Sequence, residues 1–192
     1  NREVLRGYKE NEVLGGYDNY SSSKASAEII FKSYYKSFFE RGKLLIASAR
    51  AGNVIGGGDF KKDRIVPDTI KSLSTNKDII LRNPNSTRPW QHVLEPISGY
   101  LRLGQLLINK KLNSKLIPSW NFGPLMHNCR TVNEIVIMLT KEWGGNPKKI
   151  KFIKSKKFKE AKLLALNIKK ARKELKWKPK LSLKNTIKLT VD

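Results

Sequence analysis

The feature that most limits the fold of this chain is a change of hydrophobic period near residue 43. From about Ser22 to Phe39, SSKASAEIIFKSYYKSFF places apolar residues at Ile29, Ile30, Tyr34 and Phe38 behind a serine-rich start. That spacing predicts an amphipathic helix, with Arg41-Gly42 as its stop. KLLIASARAGNVIG follows, an apolar run ending in Gly56, which predicts a buried strand feeding a loop. A helix leading into such a strand predicts an α/β fold, in which helices cover a parallel sheet.

The remaining sequence continues the alternation. RIVPDTIKSLSTN reads as a helix, DIILRN as a strand, PNSTRPWQH as a turn-rich loop and VLEPISGYLRLGQLLINKKL as the next helix. SWNFGP suits a short strand. TVNEIVIMLTKEWGG opens with Thr131 and Glu134 at capping-box spacing and stops at Gly144-Gly145. A strand around LLALN, a helix at IKKARKELKW and a stop at Pro179 complete the reading. There is no internal repeat or low-complexity linker, so a second independent domain is not indicated.

Composition excludes several classes of function. Apolar residues make up 39% and charged residues 29% of the 192, the balance of a soluble globular chain. No apolar run approaches the roughly 20 residues of a membrane-spanning helix, so no membrane partner is expected and the protein is expected to be cytoplasmic. The single cysteine, Cys129, cannot form an internal disulfide, and His92 and His127 are too separated to suggest a metal site. The net charge of +23 raises the possibility of a nucleic-acid partner. Residues 148–192 hold seventeen Lys or Arg against three acids. Apolar and aromatic residues recur among those lysines, unlike in disordered basic arms, so a folded surface with a lysine bias is expected and no nucleic acid.

Tyr20 and Lys24, in YSSSK, share a helix face at i and i+4. A free tyrosine has a pKa near 10 and is a poor base at neutral pH; an adjacent ammonium favours the phenolate, a physical reason to couple the two. The same spacing also fits a helix that merely begins with polar residues. Asn53, Arg64 and Arg88 are further candidates. Asn53 suits a polar contact or a turn, Arg64 a ligand contact or a helix cap. Arg88 suits bidentate anion binding or a surface salt bridge. His92, beside Trp90, reads as packing, and GGGDF at Gly56–Phe60 as a turn rather than a dinucleotide fingerprint.

The helix with Tyr20 and Lys24, then the strand reaching Arg50-Ala51-Gly52-Asn53, resembles the extended short-chain dehydrogenase/reductase family. GGYDNYSSSKASAE, SARAGNVIGGGDFKKDRIVPD, LRNPNSTRPWQHVLEPISGYL and WNFGP, in this order and spacing, are similar to the CDP-glucose 4,6-dehydratase branch of it. This resemblance runs over nearly the whole chain. It implies a nucleotide-sugar lyase of deoxysugar biosynthesis, with NAD as cofactor and CDP-glucose as substrate. Tyr20 is implied as catalytic base on the sugar 4-hydroxyl, and Lys24 as its partner on the nicotinamide ribose, so both are cofactor-binding. Asn53, Arg64 and Arg88 are implied on the substrate side, with Arg88 on the diphosphate. A sister dehydratase or epimerase shares the Tyr-Lys and Arg-x-x-Asn patterns, whereas RPWQHVLEP and AGNVIGGGD favour the CDP-glucose enzyme.

The resemblance also implies a partial Rossmann-like α/β fold with a small C-terminal substrate-binding part. Residues 1–58 would be the remainder of the NAD-binding domain and 59–192 mainly the substrate-binding region, interleaved with it. The sequence has no Gly-x-x-Gly-x-x-Gly turn to cradle a pyrophosphate. The N-terminal dinucleotide-binding half and the dehydration acid and base are therefore expected upstream of Asn1. The 192 residues alone are expected to bind NAD weakly and to be inactive, and the parent enzyme to be a homo-oligomer.

If the basic tail is a folded surface, random duplex DNA should not be retained at physiological salt. Sub-micromolar affinity in a fluorescence-anisotropy titration, falling steeply with added salt, would reassign the charge to nucleic acid.

Overall fold

The computed structural model describes residues 3–16, 18–39, 45–109, 112, 118–153 and 161–192. Helix α1 spans Asn19–Tyr34 and widens into a π-helical turn at Tyr35–Phe39. It starts three residues earlier than its apolar period predicts because Asp18 caps it. The predicted stop at Arg41-Gly42 lies outside the described residues.

The apolar run after it forms two strands rather than one. β1 (Ser48–Ala51) and β2 (Asn53–Ile55) are separated at Gly52 and only partly buried. A Cβ on Gly52 would stand 2.8 Å from the Pro89 carbonyl oxygen, so the chain bends there against a loop that no larger residue could approach. Helix α2 (Ile65–Ser74) and β3 (Ile79–Leu81) form as the sequence predicts. PNSTRPWQH is the second departure, because it supplies β4 (Thr87–Arg88) and β5 (Trp90–His92). Their partners are remote in sequence, so no local pattern announces them. Then come α3 (Leu94–Ile108), β6 (Ser119–Phe122), β7 (Arg130–Thr131), α4 (Val132–Glu142) and β8 (Ile150–Phe152). A π-helical turn at Ala171–Leu175 and helix α5 (Leu183–Val191) end the chain. The predicted strand at LLALN contributes isolated bridges, Tyr8 to Leu166 and Thr87 to Leu163.

The strands pair β1–β6, β2–β5 and β3–β8 in parallel, and β4–β7 antiparallel. Helices pass between parallel partners, as parallel connections require. One core joins Leu103 and Leu106 of α3, Trp120 and Phe122 of β6, and Ile168, Leu175 and Trp177 of the basic tail. The tail's apolar residues are thus core, as the folded-surface reading expects. A second core packs Ile55, Val66, Trp90, Ile135, Leu139 and Ile187. Thr131 and Glu134 close the predicted capping box at the start of α4. The buried Glu95 carboxylate accepts the amides of Lys180, at 2.7 Å, and Leu181, fastening the tail to the first turn of α3.

α1 behaves differently. Ala25 is its one buried residue, and Ile29, Ile30, Tyr34 and Phe38 are each more than half exposed. The apolar face the sequence predicts is present, but the described residues do not cover it.

Phe122 is fully buried and meets Tyr100 and Trp177 edge-on, at ring-centroid distances of 5.3 and 5.0 Å. A Cβ on Gly99 would lie 2.3 Å from its ring. Gly99→Ala is therefore expected to cost about 1–3 kcal/mol through overpacking, seen as a lower urea midpoint. An unchanged midpoint would show that the ring can yield.

Candidate active site

The start of α1 is fixed by local hydrogen bonds. Asp18 has extended backbone, and its carboxylate accepts the Ser21 amide at 2.8 Å. Ser22 Oγ donates to the Gly16 carbonyl at 3.0 Å. These bonds place Tyr20 in the first helical turn, where it is 72% exposed. One turn on, the Lys24 ammonium stands 5.6 Å from the centroid of the Tyr20 ring. The structure brings this predicted pair together on one outward face.

Two turns beyond Tyr20, rotated about 80° round the helix, Glu28 turns inward. One carboxylate oxygen accepts Arg50 Nη2 at 2.6 Å and the other accepts Ser48 Oγ. Arg50 Nη1 donates to the Glu10 carbonyl at 3.1 Å. The Glu10 carboxylate in turn accepts the Asn121 amide at 2.9 Å. Arg50 and Glu28 side chains are 19% and 17% exposed, so little water screens them. Removing one partner of such a pair costs about 3–5 kcal/mol. An exposed pair such as Arg82–Asp63, at 4.0 Å, is worth about 0–1 kcal/mol. Burial pushes the Glu28 carboxyl up, but the Arg50 and Ser48 donors outweigh it and hold the group below the usual carboxylate range. Burial raises the Glu10 carboxyl, against the Asn121 amide and the nearby cations.

The other candidates line the next stretch of chain. Asn53 opens β2 in register with Trp90, beside the Gly52–Pro89 contact. Arg88 is half-buried, and its Nη1 donates to the carbonyls of Thr87 at 2.9 Å and Ala161 at 2.8 Å. Asn53 and Arg88 therefore flank one junction, and β1 links it to the clamp under α1. Arg64 stands apart in its contacts. It occupies the N-cap position of α2 without a side-chain capping bond, and it faces Asp59 of the glycine loop at 3.9 Å with 56% of its side chain exposed. His92 is buried and accepts the Leu94 amide at Nδ1, a packing role. Cys129 is half-buried, and burial raises its thiol.

Sequence reasoning missed Ser48, Glu28 and Glu10 as parts of the site. Glu28 was signalled only by continuing the Tyr20, Lys24 spacing by four; its partner lies 22 residues on.

The chain matches the GDP-mannose 4,6 dehydratase family over residues 4–190. It is 43% identical to a CDP-glucose 4,6-dehydratase of Salmonella typhimurium, over 97% of this chain and 53% of that protein. It is 31% identical to a dTDP-D-glucose 4,6-dehydratase of Dictyostelium discoideum, over 55% of this chain and 24% of that protein. The Bacillus anthracis dTDP-glucose 4,6-dehydratase, solved with NAD, shares the fold at TM-score 0.77 and 24% identity, over 96% of this chain and 54% of that one. The Bacillus cereus UDP-glucuronic acid 4-epimerase, solved with UDP-glucuronic acid and NAD, gives 0.78 at 22% identity, over 97% of this chain and 55% of that one. The chain spans about half the length of these full-coverage relatives.

Asp18→Ala is expected to fray the first turn that carries Tyr20, speeding amide hydrogen exchange over residues 19–24 while α4 is unaffected. Asp18→Asn, an equally good cap, should keep wild-type protection at neutral pH. Hydrogen bonds from Ser21 hold Asp18 below its ordinary value. The cap is therefore intact above the unfolded carboxylate value and lost as pH falls through the lowered one, a loss the Asn variant should not show. Identical exchange in Asp18→Ala and wild type would remove the cap from this account.

Proposed function

The chain belongs to the GDP-mannose 4,6 dehydratase family, and from that premise we propose that the whole protein is an NAD-dependent lyase converting CDP-glucose to CDP-4-keto-6-deoxyglucose. The observation that carries the choice of substrate is the 43% identity to the Salmonella CDP-glucose 4,6-dehydratase, spread over 97% of this chain. The dinucleotide-binding half is read as lying outside these 192 residues. Residues 1–58 are read as the remainder of the cofactor domain and 59–192 as mainly the substrate side. Contacts of Tyr8 with Ala165 and Asn167, and the β1–β6 pairing, support the view that the two are interleaved.

The exposed Tyr20 phenol and the Lys24 ammonium present a donor set suited to ribose hydroxyls, and these are the residues proposed to hold NAD here. When bound, NAD would supply a hydride acceptor for sugar C4 and, once reduced, a hydride donor for C6. Tyr20 takes the proton of the 4-hydroxyl, and Lys24 stabilises the phenolate that does so. The resulting 4-ketone acidifies the C5 proton, so that water can leave from C5 and C6. Arg88, already fixed by two carbonyls, is proposed to hold the substrate diphosphate, with Asn53 beside it. Arg64 is proposed to reach the nucleotide by exchanging its long contact with Asp59. The exposed apolar face of α1 supports a homo-oligomeric parent.

In the whole protein, Tyr20→Phe is expected to lower formation of the 4-keto sugar from CDP-glucose by at least about a thousandfold. Near-normal turnover would remove Tyr20 from the mechanism. Product from another nucleotide sugar, with none from CDP-glucose, would reassign the substrate to a sister dehydratase or epimerase.

A further inference from the structure

We propose that Arg50 and Glu28 form the positioning clamp of the reaction, fixing where Tyr20 and Lys24 stand relative to the sheet; this deepens the function proposed above and rests on it. Neither side chain touches the reacting atoms. Their effect is transmitted along the helix.

α1 carries the proposed base, and within this chain its directional attachment to the sheet is made by Glu28. Both oxygens of the Glu28 carboxylate are engaged by β1, one by Arg50 at 2.6 Å and the other by Ser48. Two donors on a planar acceptor fix orientation as well as distance. Glu28 follows Lys24 by four residues and Tyr20 by eight, so the clamp acts about 6 and 12 Å along the helix axis from them, turned about 40° and 80° round it toward the sheet. Arg50 is itself constrained. Its Nη1 is held by the Glu10 carbonyl, and Glu10 is held by the Asn121 amide of β6. Among the described residues the Arg50 Nε is buried with no hydrogen-bond partner. The Arg-x-x-Asn segment thereby divides its work: Asn53 stands at the substrate junction, while Arg50 faces away toward the helix.

The test compares Glu28→Gln, Arg50→Lys and the double variant of the whole protein, with Arg82→Gln breaking an exposed ion pair as control. Amide hydrogen exchange over residues 19–31 should accelerate by about tenfold in each single variant and no further in the double, with α4 unchanged. The kcat with CDP-glucose should fall by about a hundredfold, with KM within about threefold, as for misplacement of a catalytic group. Ser48→Ala, which leaves both charges in place, should give a smaller change of the same kind. It also decides the matter should a charge variant fail to fold: wild-type exchange in α1 and wild-type kcat in Ser48→Ala would then overturn the clamp. Additive losses in the double variant, or a raised KM at unchanged kcat, would overturn it too, the latter by making Arg50 a substrate contact. Absence of turnover by the wild type on any nucleotide sugar would fell the proposed function. The exchange measurement would still decide the clamp, with unchanged α1 protection in Glu28→Gln counting against it.

Discussion

Strand β6 is the element to which the rest of the site is referenced, and what makes it so is that both its faces are buried. Trp120 and Phe122 alternate with Ser119 and Asn121, and all four are almost fully inaccessible. The aromatic pair sits in the core built from α3 and the basic tail. The polar pair does a different task. Asn121 receives the N-terminal loop, donating its amide to Glu10 and its side chain to the Tyr8 carbonyl at 2.9 Å. Its backbone also pairs with Arg50 of β1. A four-residue strand thus joins the N-terminal loop, the strand beside α1 and the C-terminal tail, and each polar tie acts where water is scarce and a lost partner is costly.

From that strand outward, burial decreases. Tight aromatic packing around Phe122 gives way to an ion pair under α1, and then to Tyr20 and Lys24 at an exposed helix end. The Tyr20 phenol is largely exposed, so its placement must come from groups behind it. Two turns of helix are stiff enough to carry that placement.

Much of this was legible in the sequence where the signal is local. The α1 period, the Thr131–Glu134 box and the apolar residues among the tail lysines all rest on neighbours within a few positions, and all appear in the fold. What the sequence hid depends on partners far along the chain. KLLIASARAGNVIG reads as one strand because nothing local reveals that Pro89 presses on Gly52 and divides it. Thr87–Arg88 and Trp90–His92 read as a loop because their pairing residues lie in β7 and β2. Glu28 and Arg50 stand 22 residues apart, and only the fold sets them face to face.

The large positive charge fits this division between field and fixed contact. Several cations serve the fold itself. Lys170 lies 4.4 Å from the Trp120 ring centroid and donates to the Ser119 carbonyl, Arg102 donates to Leu175, and Lys149 to Asn76. Burial lowers the Lys170 ammonium from its ordinary value, against the nearby Glu174 and Glu10 carboxylates. The remaining surface charge can draw an anionic ligand inward, but at physiological salt its reach is about 8 Å and it cannot distinguish one anion from another. Discrimination then falls to groups whose positions are fixed before the ligand arrives. Arg88, proposed above for the diphosphate, meets that condition because the Thr87 and Ala161 carbonyls already hold it, so binding there need not bear the cost of ordering a long side chain.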